Sequence, residues 1–270
     1  MSEVLSICDT TISGAWSQAF LSMLKPGVTE IAPLVVSINF ADEHQFESDV
    51  VALRLLDGCI AQLKQTDEKF SKLQSVTTVA NTIFPNSLWN PSAEDDAEKL
   101  FERFEKAWPR IKKCSQNRRG SYFRRMTAFR SKAANGQPIN QLRQIVETYK
   151  ADIHRRSALQ ASIFDPAFDH VKSRQLGFPC LQQVAFSPVG KTELRVTGFY
   201  ANQYIFDRAL GNYLGLCRLG YFMATQLNLK FTGMTCIASV AQMGTPGKTV
   251  LRPLEEQIVL KLSDLPRTAP

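Results

Sequence analysis

The run Phe178-Pro179-Cys180 sets a thiol directly ahead of a strand-like segment. A cysteine attacks an electrophilic carbon only as its thiolate, so the local field around it decides whether such a site works. Without that field, the same residue is a small buried hydrophobe. The six cysteines, Cys8, Cys59, Cys114, Cys180, Cys217 and Cys236, are scattered with no CxxC pair. That pattern favours reduced thiols in a cytoplasmic protein over a disulfide framework or a zinc site. With three histidines, His44, His154 and His170, a histidine-based metal centre is not expected. A second concentration of chemistry is Arg118-Arg119-Gly120-Ser121-Tyr122-Phe123-Arg124-Arg125, where four arginines interleave with two aromatics in a chain of formal charge +7. A charge of this size governs solubility and steering more than fold. Because no recognised nucleic-acid module surrounds the cluster, we expect a solvated surface segment, with a nucleic-acid surface as the lesser alternative.

The elements that must position these residues follow from periodicity. Two strand-like segments, Leu181–Ser187 and Thr192–Tyr200, flank Pro188-Val189-Gly190-Lys191, whose turn chemistry suits a hairpin. The apolar stretch 205–227 is too long for a strand, and Gly211, Gly215 and Gly220 interrupt it, so it reads as a buried helix with small-residue contact points. A strand over Met234–Met243 closes the unit. Upstream, apolar spacing predicts a helix over Ile12–Leu24, a strand over Ile31–Phe40 with Pro33 at a sheet edge, and a long helix over Asp49–Leu73. Thr82–Trp89 reads as a proline-bearing loop ending in an aromatic anchor. Ser92, Asp95 and Asp96 signal the start of a helix running to about Lys113. Gln137-Pro138 opens another helix with Ile139, Leu142, Ile145, Val146 and Tyr149 as its apolar stripe. Short strands are expected at Ala158–Phe164 and Gln257–Leu262. With 44% hydrophobic and 21% charged residues, and with neither a signal peptide nor a membrane span in evidence, we expect a single α+β domain over 1–270.

Taken together, Pro179-Cys180, the hairpin, and a buried helix carrying Gly211-Asn212 resemble the catalytic half of the thymidylate synthase family. The likeness extends through Met223-Ala224 and Asn228-Leu229 to Gly244. Upstream it includes Gly120-Ser121-Tyr122, the segment from Gly136 to Gln141, and Arg155-Arg156. It covers about half the chain; residues 1–115 match poorly, and no acidic residue there can be assigned to the family's catalytic glutamate. The resemblance implies a mixed β-sheet packed against helices, including the long buried helix at about 205–227. It further implies Cys180 as the nucleophile that adds to C6 of a pyrimidine, with reduced folate (methylenetetrahydrofolate) as one-carbon donor and no metal. Asn212 would read the pyrimidine edge, since one amide can accept from N3–H and donate to O4 at once. Arg155 and Arg156 would reach across a homodimer to the partner's phosphate site with a fork suited to bidentate contact. As simpler roles, Asn212 would be a satisfied core amide and the arginine pair a solvated turn beside His154.

The departures from that pattern bear on the substrate. Ala201 stands where the family has a phosphate-binding arginine that also depresses the cysteine's pKa, Asn202 replaces the adjacent serine, and Tyr204 replaces a following aspartate. Gln242 and Gly244 stand where histidine and tyrosine hold the sugar hydroxyl, and Leu181 replaces the histidine after the nucleophile. Loss of a charged phosphate partner costs roughly 2–5 kcal/mol, or about two to three decades in affinity. The sequence therefore points to a diverged transferase acting at C5 of a pyrimidine nucleotide or nucleoside other than ordinary deoxyuridylate. The alternatives are an inactive homologue that binds a nucleotide or a protein partner, and a basic nucleic-acid binder.

Overall fold

The structure is a computed structural model that describes residues 4–91, 97–114, 117, 120–130, 136–152, 155–170, 172 and 179–263. Strand β1 (Leu5–Asp9) leads into helix α1 (Ile12–Leu24), capped by Thr11, which accepts from the Gly14 amide. The chain continues through β2 (Glu30–Ile31), β3 (Leu34–Asn39), α2 (Gln45–Ser48), α3 (Val51–Thr66), α4 (Val76–Ile83) and α5 (Ala97–Ile111). Then come α6 (Tyr122–Thr127), α7 (Gln141–Lys150), β4 (Gln160–Ser162), α8 (Pro166–Asp169), β5 (Leu181–Val189), β6 (Glu193–Tyr200) and β7 (Gln203–Tyr204). Helix α9 (Leu210–Leu227), strands β8 (Lys230–Ala238) and β9 (Ala241–Gln242), and helix α10 (Arg252–Ser263) end the described chain.

The architecture is mixed α+β. A six-stranded sheet runs β1-β3-β8-β6-β5-β4, with β1∥β3 and β8∥β6 parallel and the remaining pairs antiparallel. A smaller sheet, β2-β9-β7, lies at its end. Alternation along β6 sends Leu194, Val196, Gly198 and Tyr200 inward, onto α9. The close approach needs glycine: a Cβ on Gly211 would meet Val79 Cβ at 2.5 Å, and one on Gly220 would meet the Phe231 ring at 2.4 Å. An aromatic cluster of Phe84, Trp89, Phe101, Phe123 and Phe222 packs beside it.

Opposite α9, the large sheet presents two complete cross-strand rows. One is Cys8, Ser37, Thr235, Thr197, Ala185 and Gln160; the other is Ser6, Val35, Ile237, Phe199, Gln183 and Ser162. Every member of both rows is half-buried or exposed. In a sheet of this kind, one face can remain against solvent while the other carries the core.

The hairpin, α1 and the buried helix form where their patterns put them, and the glycines of α9 are the contact points expected. Other segments differ. Gln257–Leu262 is helical, because Leu251, Leu254 and Ile258 recur at helical spacing and bury one side while Val259 and Leu260 stand out. The long helix stops at Thr66, where Asp67 turns back to accept from Lys69. The strand expected from Ile31 divides at Ala32-Pro33 between the two sheets, and β3 is an interior strand and not an edge. Likewise Met234–Met243 divides into β8 and β9, which belong to different sheets. Helix α7 begins four residues after Gln137, capped by Asn140, and Ile139 pairs instead with Phe129 in an isolated bridge. Strand β1 and helix α4 had no counterpart in the sequence reading. The cap at Ser92, Asp95 and Asp96, as well as Arg118, Arg119, His154 and Phe178, lies outside the described residues.

The arginine cluster is not a solvated segment where it is described. Ser121 caps α6, Phe123 and Met126 are buried, and Arg125 makes a bidentate pair with Asp169 at 2.6 and 2.9 Å. Arg124 pairs with Glu105.

Candidate functional site around Cys180

Cys180 is half-buried at the start of β5, and its carbonyl accepts from the Ala201 amide at 2.9 Å, which ties the thiol-bearing turn to the chain leaving β6. Burial pushes the thiol up, and the guanidinium of Arg208 opposes the rise. Tyr122 of α6 lies beside it. Its phenol is pushed up to about 12, by burial first and then by Cys180, with the Leu181 backbone and Arg208 acting the other way. Tyr200, the last residue of β6, has a buried hydroxyl with no hydrogen-bond partner among the described residues, and burial raises it well above the ordinary phenol value. A thiol and two phenols, all held neutral, thus line this part of the interior.

Between β7 and α9 the chain makes a π-helical turn, Ile205–Ala209, which carries Arg208. Single π turns recur at functional sites because they rotate side chains out of the regular helical order. Arg208 is half-buried and donates to the side-chain carbonyl of Gln74, just ahead of α4. Asn212 follows four residues later, in the first turn of α9, 4% exposed. Among the described residues, none forms a hydrogen bond with its side chain.

The remaining residues singled out from the sequence fall into two groups. Asn202, Tyr204 and Gln242 meet on the small sheet: β7 and β9 pair Tyr204 with Gln242, and Asn202 Nδ2 donates to Gln242 Oε1 at 3.5 Å. Asn202 Oδ1 is buried with no partner among the described residues, while Tyr204 is 40% exposed. Gly244 adopts φ +112, and a Cβ there would meet Asp207 Oδ1 at 2.4 Å. Asp207 itself receives the amide and hydroxyl of Thr245. Arg155 and Arg156, in contrast, are exposed on a turn ahead of edge strand β4, and no hydrogen bond or ion pair joins them to Cys180 or Asn212.

Arg208, Gln74 and Tyr200 were not identified from sequence as site residues. Arg208 and Tyr200 looked like ordinary members of a helix and a strand, and only the π turn and the buried orphan hydroxyl mark them. Gln203, buried, lies 3.4 Å from the Tyr213 hydroxyl and 3.5 Å from Cys236 Sγ. Chemically, the arrangement can offer a thiol nucleophile, one cation and an amide with donor and acceptor atoms. Of the described residues, no group of His, Cys, Asp and Glu could hold a metal ion, and no helix is long and apolar enough to cross a membrane. A scan against protein-family models and a search of curated proteins each found no match.

Proposed function

We propose that this chain is a diverged member of the thymidylate synthase family that binds a pyrimidine nucleotide or nucleoside, with Cys180 as the nucleophile for C6. The observation that carries the reading is Cys180 at the start of a hairpin that packs on α9, the buried helix that holds Asn212, with Arg208 on the turn leading into that helix and its charge acting on the thiol. Asn212 would take the N3–H and O4 edge of a uracil-like base, an edge that matches one amide acceptor and one amide donor. Thiolate addition forms the S–C6 bond and moves the C5=C6 electron pair toward O4, where hydrogen bonding by Asn212 stabilises the charge. That leaves C5 nucleophilic.

A reduced folate is the donor this family resemblance brings with it. The described residues offer it no evident seat: the carboxylate of Asp207 is taken up by Thr245, and Tyr204 faces outward. We therefore derive no transfer step through a folate. The second reading, a nucleotide-binding protein without turnover, draws support from the raised Cys180 thiol, since burial disfavours the form that reacts.

The partner in this reading is a second copy. The two rows across the uncovered sheet face, with Phe199, Ile237 and Val35 among small polar residues, suit an isologous contact. Arg155 and Arg156, exposed beyond β4, are free to act on the other subunit in such a dimer. Light scattering tests this, and a monomer at micromolar concentration removes the role given to the pair.

Intact-mass spectrometry with 5-fluoro-pyrimidine nucleosides and nucleotides, with and without methylenetetrahydrofolate, tests the chemistry. Fluorine at C5 blocks the last proton loss, so an active site traps its own adduct. Pyrimidine plus folate on Cys180 establishes transfer, whereas binding without any adduct moves the assignment to the inactive homologue.

A further inference from the structure

The sequence has alanine at 201, where a phosphate-site arginine would be expected, and the structure supplies a cation from another direction. Arg208 and Asn212 are four residues apart across the junction of the π turn and α9, a spacing that sets two helical side chains on one face. Arg208 is half-buried, and its one hydrogen-bond partner among the described residues is the neutral side chain of Gln74. No carboxylate among those residues lies within 4 Å of it. The nearest acid in sequence, Asp207, is engaged by Thr245 instead. A guanidinium carries five N–H donors in a rigid fork, so one bond to Gln74 fixes its direction and leaves the rest of the fork for an anion. An uncompensated cation in a partly desolvated site carries an energetic cost that an anionic ligand would relieve.

We infer that Arg208, aimed by Gln74, is the residue that receives the anionic group of the ligand, in place of the arginine missing at Ala201. For the ligand's identity this rests on the pyrimidine reading above; for the cation it rests on the geometry of the π turn. The consequence is a relocated phosphate: it approaches from the α9 side and not from the chain between β6 and β7. Such a shift suits a pyrimidine whose phosphate and sugar are arranged differently from deoxyuridylate.

The test is the alkylation rate of Cys180 in the full chain, read by peptide mass spectrometry with uncharged iodoacetamide. Inorganic phosphate, deoxyuridine and deoxyuridine 5′-monophosphate are the probes. Inorganic phosphate should slow alkylation in the parent, and Arg208→Met should abolish that protection. Arg208→Lys should retain part of it, and Gln74→Ala should weaken it with the charge left in place. Monophosphate affinity should fall about 10- to 100-fold in Arg208→Met, the loss expected for a hydrogen bond to a charged group, while deoxyuridine affinity stays near the parent's. Two results overturn the inference: parent Cys180 unprotected by phosphate, or equal protection in the parent and Arg208→Met. If phosphate protects through Arg208 but no member of the pyrimidine nucleoside and nucleotide panel used for adduct trapping adds anything to phosphate alone, the cation assignment stands and the pyrimidine reading falls.

Discussion

Arg125 and Arg208 present the same side chain in opposite conditions. Arg125 is 11% exposed and bonded in a fork to Asp169, itself 2% exposed, with a third bond to the Ile163 carbonyl at 3.0 Å. Its charge is neutralised, and its fork is engaged in joining α6 to the segment around β4 and α8. Among the described residues, Arg208 meets only the neutral amide of Gln74. The difference teaches that density of arginines in sequence does not show which guanidinium lacks a counter-charge. Of the cluster, Arg124 and Arg125 are tied into the fold through Glu105 and Asp169, whereas no carboxylate among the described residues pairs with Arg208, an isolated arginine inside an apolar run.

The largest expected effect comes from separating the two on stability. Asp169→Asn leaves Arg125 buried without its carboxylate and should cost about 3–5 kcal/mol in urea unfolding. Arg208→Met should change stability by less than about 1 kcal/mol while altering anion binding. Equal losses would erase the contrast. Next in size, Gly211→Val forces a branched side chain against Val79 and the Val76 carbonyl, and should destabilise by about 1–3 kcal/mol. Because α4 carries no part of the Arg125 pair, this change tests whether the site wall at α9 depends on packing alone.

Alkali sharpens the comparison from the side of the thiols. Burial pushes Cys236 from an ordinary 9.0 up to about 12, and Cys180 is also raised. Above pH 9 the unfolded chain therefore releases these protons before the folded one does. The folded state then binds more protons, so stability should fall as pH climbs from about 9 through about 12, measurable by chemical denaturation. Cys180 should alkylate well before Cys236, because it is half-buried and faces Arg208; the reverse order would remove Arg208 from the site. The smallest effect is expected of Glu98→Ala. Its partner Arg143 is 46% exposed and the carboxylate 52%, so loss of the pair should register below about 1 kcal/mol.

The parts legible in the sequence are those whose local pattern and tertiary burial agree. Gly190, at φ +59, makes the hairpin turn that its neighbours Pro188 and Lys191 suggest. The glycines of α9 sit against α4 and β8 as a buried helix requires. Residues 257–262 misled because Ile258, Val259 and Leu260 are adjacent and apolar, while only Ile258 is covered. Of the proposed site, Cys180 and Asn212 stand out in sequence because motif and chemistry coincide there. Arg208 does not stand out, since a π turn has no composition signal and what distinguishes it is the lack of a carboxylate partner among the described residues.

The six-stranded sheet also sets a limit on how copies of this chain can join. Its margins are β1, five residues, and β4, three residues, too short to template a long run of added strands. Its broad side is the two-row face opposite α9. An isologous contact through that face, the dimer proposed above, would consume it on both molecules and close at two.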